Sequence, residues 1–267
     1  MTLLSLDFMR KALLAAILVG LTAPAIGTFL VQRRLALMGD GVGHVALTGV
    51  GLALLLGTAP LPTAVVLAVA GAVAIELLRE RGGTTGDVAL ALLFYGGIAG
   101  GVLLTNVSRT ATSFNLVAYL FGSVSTVSNG DLVVIAVLAC VVLTVVAVFG
   151  RELFSVCYDE EVARASGLPV RVLNLLIAVT AALTVALAMR VVGLLLVSAL
   201  MVVPVAAMQQ VAKSFRATLY GSIVIGVAVS VGGLLVAYYA DTAPGAAIVL
   251  TAIGVFGLTS TYARVTR

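Results

Sequence analysis

The amino-acid sequence predicts an all-α, polytopic membrane protein, a helix bundle with about nine transmembrane helices. Of its 267 residues, 62% are hydrophobic and only 10% are charged, whereas average soluble domains carry about 25% charged residues. Apolar runs of about 20 residues, the length that crosses a bilayer, recur along the chain. We expect one transmembrane domain over residues 1–267, in the inner (plasma) membrane, without a separate soluble domain.

Nine apolar segments qualify as spans, and short polar connections separate them. They cover residues 11–32, 35–56, 61–78, 88–105, 132–150, 171–189, 191–211, 217–239 and 244–262. The segment 106–130 fits no span, because its apolar run 115–122 is too short and a Ser- and Gly-rich turn follows it. We interpret this segment as a short interfacial or re-entrant helix.

The basic residues orient this stack of helices. If the polar loop 151–170 is cytoplasmic, eleven of the fifteen Lys and Arg residues face the cytoplasm. The positive-inside rule therefore favours an external N-terminus and a cytoplasmic C-terminus. The same bias explains the net charge of +4, which we do not interpret as nucleic-acid binding.

Two ionisable residues, Asp40 and His44, lie within the second span. His44 is the only histidine of the chain, and an i,i+4 spacing puts both side chains on one helix face. An ionisable group in the middle of a membrane helix costs roughly 2.5–3.5 kcal/mol, so it indicates a function. Because a carboxylate and an imidazole suit zinc and manganese, we predict a transit site for a divalent metal ion.

Other interpretations of this pair remain open. Asp40 can be a helix N-cap, and His44 can be a buried neutral imidazole bonded to a backbone carbonyl. Two ligands are also too few for a closed zinc site, which takes four. A second copy of the chain completes the set only if both residues face the dimer axis, although a transport site need not be closed, since it must release its ion.

The loop 159–169 predicts a short, charged helix on the cytoplasmic side. Asp159 can cap its N-terminus. Glu160 and Glu161 fall in the first turn, where the helix dipole favours anions. Gly167 ends the helix. The loop is either a solvated connector or a coupling helix that fits a groove on a soluble ATPase.

The spacing within this loop favours the coupling helix. The pattern Glu161-x-Ala163-x-x-x-Gly167 is similar to the loop by which bacterial ABC importer permeases engage their ATPase. The residues expected to contact the ATPase are Asp159, Glu160, Glu161, Ala163, Arg164 and Gly167. Neither Lys11 nor Lys213 follows a Gly-x-x-x-x-Gly motif, so another polypeptide must bind the ATP. No catalytic residue and no cofactor bound by this chain are predicted.

A glycine-rich motif, Gly96-Gly97-Ile-Ala-Gly100-Gly101, lies in the fourth span. It contains two overlapping small-xxx-small spacings, which let helix backbones approach closely. The partner is either another helix of the same chain or a second copy of it.

Four stretches together resemble the permease subunits of metal-ion ABC importers of the zinc/manganese type, the ABC-3 family. They are residues 33–50, with Asp40 and His44; the loop 159–169; residues 192–208, with the run Val-Gly-Leu-Leu-Leu-Val-Ser-Ala-Leu; and residues 241–250. The resemblance covers essentially the whole chain. Thr48-Gly49 replaces the Pro-Gly that is common in the family.

The resemblance implies an ATP-driven importer of a divalent transition metal, zinc before manganese, with a fold like that of the vitamin B12 importer permease. It also implies a homodimer of permeases in the lipid membrane. Two cytoplasmic ATPases would drive transport, and an extracellular metal-binding lipoprotein would deliver the ion. The permease itself would not be an enzyme.

Three alternatives make different predictions. A gradient-driven secondary metal transporter often has inverted repeats and broken helices near the midplane, and the sequence contains no convincing repeat. A structural membrane subunit would tolerate replacement of Asp40 and His44. A permease for iron–chelate complexes would need a wider pathway and no direct metal ligands.

Overall fold

A computed structural model of the chain describes residues 7–80, 86–108, 122, 128–189 and 193–265. These residues form ten α-helices and one 3-10 turn, and no β-strand is found among them, which confirms the predicted all-α class. In chain order the elements are α1 Asp7–Gln32, α2 Met38–Leu56, α3 Pro60–Glu80, α4 Gly86–Val107, α5 Asn129–Tyr158, α6 Glu160–Ala165, α7 Val170–Ala188, the 3-10 turn Leu194–Leu196, α8 Val197–Gln209, α9 Phe215–Ala240 and α10 Pro244–Val265.

Eight of the described helices are long and apolar enough to cross a membrane: α1 to α5, α7, α9 and α10. They match eight of the nine predicted spans. The longest is α5, with 30 residues, and it starts at a capping box in which Ser128 and Asp131 each bond the other's backbone N–H. The short helix expected within 106–130 falls almost entirely on residues outside the described ranges.

The remaining predicted span, 191–211, is shorter than expected. Gly193 has a φ of 87°, a left-handed value that glycine adopts readily and a helix does not contain. The 3-10 turn follows, and only then does α8 begin, with 13 residues. At 1.5 Å per residue α8 is about 20 Å long, whereas the hydrocarbon core is about 30 Å thick. α8 is therefore a partial span.

Two helices, α1 and α2, lie at the centre of the bundle. α1 packs against α5, α7, α8 and α9, and α2 packs against α3, α4, α7 and α8. Small residues such as Ala15, Ala16 and Ala23 are fully buried on α1, which lets its neighbours approach closely. α4 packs mainly on α2, so one side of α4 stays exposed.

Candidate metal-transit site and coupling helix

Asp40 and His44 lie one turn apart on α2, and of the two only His44 is buried within the bundle. His44 packs against Gly97 of α4, which comes eleven residues after Gly86 and ten before Val107. At 1.5 Å per residue, His44 is about 16 Å from one end of α4 and about 15 Å from the other. Its depth is therefore close to the centre of a hydrocarbon core about 30 Å thick.

Asp40 is not the N-cap of α2. Leu37 holds that position and offers no side-chain cap, whereas Asp40 belongs to the first turn of the helix. The half-buried carboxylate lines a cavity of about 410 Å³, with Phe94 and Tyr95 of α4 on the other side. No hydrogen bond to this carboxylate is formed within the described part of the chain. Its oxygens are therefore available to a ligand.

His44 is 9% exposed, and its Nδ1 atom is buried without a hydrogen-bond partner among the described residues. The imidazole meets the ring of Phe94 edge-on, with ring centroids 4.5 Å apart. An unsatisfied buried nitrogen is costly, and a neutral imidazole nitrogen is also the commonest metal ligand. Nδ1 is thus not bonded to a backbone carbonyl. Phe94 contacts His44 and also lines the Asp40 cavity. Asp40 is therefore open to the cavity, whereas His44 is buried behind Phe94.

Gly97 sets the spacing of α2 and α4 at this depth. A Cβ atom at this position would lie 2.6 Å from the carbonyl carbon of His44, which is closer than side chains pack. The hydroxyl of Thr48 donates a hydrogen bond to the carbonyl oxygen of Gly97 at 2.8 Å. The glycine motif 96–101 therefore packs within one chain, except that a Cβ at Gly96 would meet nothing within 4 Å.

The sequence analysis missed a third polar group, Ser198 near the start of α8, which lies beside the first turn of α2. Its side chain is 7% exposed, and its hydroxyl has no hydrogen-bond partner within the described ranges. Ser198 packs against Gly39, the neighbour of Asp40, and Leu194 of the 3-10 turn packs against Gly43, the neighbour of His44. The partial span α8 thus begins beside the predicted metal ligands. Only the helix packing reveals this, because nothing in the sequence pattern links the two segments.

The loop predicted as a coupling element contains the six-residue helix α6. Asp159 caps it, since one carboxylate oxygen accepts hydrogen bonds from the backbone N–H groups of Glu161 and Val162, both at 3.0 Å. Gly167 follows the helix with a φ of 79°. The cap and the glycine hold the helix as a compact unit between α5 and α7.

Most side chains of α6 face away from the rest of the chain. Glu161 and Arg164 are exposed, whereas Ala163 is fully buried beneath the helix. Glu160 lies between two guanidinium groups, 3.1 Å from Arg164 and 3.5 Å from Arg33. One face of α6 is therefore open, and Glu160 holds the helix to the bundle.

Arg33 is a second residue whose role the sequence analysis missed. It lies in the turn between α1 and α2, and its side chain is only 6% exposed. Burial, with the nearby charge of Arg79, lowers the pKa of the Arg33 guanidinium, and Glu76 and Glu160 offset part of the effect. One of its nitrogens is buried without a partner in the described structure. Arg33 links α6 to the turn from which the helix of Asp40 starts.

Two further ion pairs lie at the same end of the bundle. Arg79 is 2.7 Å from Glu76, and Arg171 is 2.9 Å from Glu80. The positive-inside rule assigned Arg33, Arg79, Arg164 and Arg171 to the cytoplasmic side. The structure brings them to one end of the chain.

The chain also matches a known family model. The match to the ABC 3 transport family extends over residues 5–263. This chain belongs to the ABC 3 transport family. The predicted identity, a permease subunit of the metal-ion ABC importer type, is confirmed, as is its location as a multi-pass protein of the plasma membrane.

Relatives of this permease carry the names of metal transport systems. The manganese transport system membrane protein MntC of Halalkalibacterium halodurans is 34% identical over 256 residues, which cover 96% of this chain and 87% of the relative. The high-affinity zinc uptake system membrane protein ZnuB of Haemophilus influenzae is 29% identical over 252 residues, with coverages of 94% and 96%. The solved structure of PsaBC from Streptococcus pneumoniae in complex with Fab has a TM-score of 0.87 at 30% identity, covering 99% of this chain and 97% of that chain.

Proposed function

We propose that this permease carries a divalent transition-metal ion into the cell, with Asp40 and His44 as transient ligands and ATP hydrolysed by a separate subunit. The main support is the pair itself, two metal-binding groups one turn apart on α2: the carboxylate of Asp40 and Nδ1 of His44 have no hydrogen-bond partners in the described structure. Membership of an ABC family supports ATP-driven over gradient-driven transport, although broken helices like α8 also occur in secondary transporters.

The preferred ion is manganese, with zinc as its competitor. One carboxylate and one imidazole per chain accept either metal, so the ligands do not separate them. Sequence analysis ranks zinc first. The relative with 34% identity is named for manganese and the one with 29% for zinc, which favours the opposite order. Direct ligands suit a bare ion better than an iron–chelate complex.

Transport needs His44 to reach the ion that Asp40 meets. In this structure the imidazole is buried and packs against the ring of Phe94, with ring centroids 4.5 Å apart. A displacement of α6 by the ATPase passes through Glu160 and Arg33 to the turn before α2. The resulting shift of α2 against α4 uncovers His44, completes the pair and then opens it toward the cytoplasm.

A second copy of the chain covers the Asp40 cavity. The exposed face of α4 beside the cavity carries Tyr95, Gly96 and Ala99. Lipid against this face would leave a carboxylate next to hydrocarbon, which is unfavourable. Two copies that meet along α4 remove this contact and bring two pairs of ligands toward one pathway.

Metal uptake by the reconstituted permease–ATPase complex tests the ligands. We expect Asp40→Asn and His44→Ala each to reduce manganese uptake by roughly 100-fold, because even supporting groups around a metal site cost about 10- to 100-fold. Zinc competition measured with the wild type ranks the two ions. Asp241→Asn is the control, since Asp241 caps α9 with a φ of 51°, which asparagine adopts easily. Normal uptake by folded Asp40 and His44 variants refutes the proposal.

Cysteine cross-linking tests the dimer. In a variant without Cys140 and Cys157, Gly96→Cys is expected to form a disulfide-linked dimer in membranes. Val137→Cys, on the exposed face of α5, is the control and should stay monomeric. Cross-linking at position 137 with none at position 96 moves the seam to α5 and contradicts the proposed arrangement.

A further inference from the structure

A groove with a volume of about 810 Å³ runs between α5 and α9. Both helices pack on α1, and the fully buried Ala25 of α1 forms the floor of the groove. No residue of this groove lines the Asp40 cavity or belongs to α6. The transport mechanism proposed above therefore makes no use of it.

One part of the groove is apolar and lies at hydrocarbon depth. Its walls come from the apolar runs of α5 and α9, with Val146, Ala147 and Gly150 on one side and Leu219 and Ile223 on the other. A Cβ atom at Gly150 would meet nothing within 4 Å. The groove is thus open space along the surface of the bundle that faces the membrane.

The other end of the groove is basic. Arg151 directly follows the apolar run of α5, and Arg216 is the second residue of α9. Both are exposed, and neither forms a salt bridge within the described residues. The rings of Phe154 and Phe215, with centroids 4.5 Å apart, lie between the two helices at this end. Two unpaired positive charges thus face one space at the predicted depth of the cytoplasmic headgroups.

We propose that this groove binds one anionic phospholipid of the cytoplasmic leaflet. The two guanidinium groups hold the headgroup phosphate, and an acyl chain lies along the apolar walls between α5 and α9. Basic pockets between membrane helices on the cytoplasmic side recognise lipids of this charge. Tyr220, exposed on the rim of the groove, is the kind of aromatic side chain that prefers the interface.

A phospholipid explains both ends of the groove better than a protein does. A second copy of this chain would have to supply carboxylates to Arg151 and Arg216. Its Glu76, Glu80 and Glu160 already pair with arginines of their own chain, and its exposed Glu161 lies on the face of α6 proposed to meet the ATPase. A free phosphate would satisfy the charges but leave the apolar walls uncovered. An anionic headgroup with an acyl chain matches the charge at one end and the hydrocarbon at the other.

Native mass spectrometry of the purified permease–ATPase complex tests this site, with phosphatidylglycerol and phosphatidylcholine of the same acyl chains titrated in turn. We expect saturable binding of one phosphatidylglycerol per permease. Each arginine near an anionic lipid contributes about fivefold, so Arg151→Gln with Arg216→Gln should weaken binding by roughly 25-fold. Arg264→Gln removes an exposed cytoplasmic arginine outside the groove and should change nothing.

A second variant separates the lipid from other occupants. Gly150→Leu places an apolar side chain in the groove and leaves both charges in place, and its Cβ atom has no neighbour within 4 Å. It should reduce phosphatidylglycerol binding, and inorganic phosphate should not displace the lipid. The proposal is overturned if both lipids bind with equal affinity, or if Arg264→Gln weakens lipid binding as much as the double arginine variant does. It is also overturned if phosphate displaces the lipid while Gly150→Leu has no effect on binding. Dissociation of the complex in the double arginine variant, without a change in lipid binding, overturns it as well.

Discussion

The carboxylate of Asp40 and the carboxylates at the predicted cytoplasmic end of the bundle are held in opposite ways. Along the first two turns of α2, the described residues offer no hydrogen-bond partner to Asp40, to Nδ1 of His44 or to the hydroxyl of the neighbouring Ser198. At the cytoplasmic end, Glu76 and Glu160 are both held by guanidinium groups. Polar groups without partners are costly in a low-dielectric interior. A metal ion that binds these groups removes that cost, and this favours its binding. Paired groups instead make a stiff connection.

The largest expected effect concerns the contact that holds the centre together. Gly97→Ala and Gly96→Ala gain the same helix propensity, so the difference between them isolates the steric cost at Gly97. That cost is about 1–3 kcal/mol, the usual penalty for overpacking. Thermal unfolding in detergent measures it, and metal uptake should be lost only in Gly97→Ala. Equal stability of the two variants would show that α2 and α4 do not pack this closely.

The next effect concerns the connection at the cytoplasmic end. Arg33→Gln removes a buried guanidinium from its ion pair with Glu160. It should destabilise the permease by about 1–3 kcal/mol, between the values for exposed and buried ion pairs. Arg164 is 73% exposed on its side chain, so Arg164→Gln should cost no more than about 1 kcal/mol. We also expect fewer metal ions carried per ATP hydrolysed in Arg33→Gln alone. An equal ratio in both variants would reduce Arg33 to a structural ion pair.

A smaller effect is expected at the cap of α6. Asp159→Ala loses both hydrogen bonds to the first turn, which costs about 1 kcal/mol, whereas Asp159→Asn can still cap the helix. If the ATPase recognises the folded helix, its dissociation constant from Asp159→Ala rises about fivefold. Binding of purified ATPase to the permease in detergent measures this. No change in Asp159→Ala would mean that α6 is not the docking element.

The smallest effect is expected at Ser198. Ser198→Ala removes a buried hydroxyl without a partner, so stability should stay constant or rise slightly. If the hydroxyl contacts the passing ion or its water, the KM for metal uptake rises about two- to fivefold, the value of one weak hydrogen bond. Ser230→Ala is the matched control, because the Ser230 hydroxyl is also buried and unpartnered in the described structure. An equal KM in both variants would remove Ser198 from the pathway.

Composition alone predicted most of this architecture, because length and hydropathy decide whether a helix can cross a bilayer. The i,i+4 pair Asp40 and His44 was likewise readable from helix geometry. The length of α8 could not be predicted from the sequence, because it depends on the backbone conformation of a single residue, Gly193, within a continuous apolar run. Ser198 and Arg33 were missed for another reason. Their significance lies in contacts with segments far away in the chain, which no local period reveals.

The length of α5 has a mechanical consequence. Its apolar run ends at Gly150, yet the helix continues to Tyr158; these eight residues add about 12 Å. The helix α6, which we propose as the docking element for the ATPase, therefore follows a single long helix that continues into the hydrocarbon without a break. If the C-terminal end of α5 is displaced, a continuous helix responds by tilting. A small movement at this end then displaces the opposite end of α5 on the other side of the membrane.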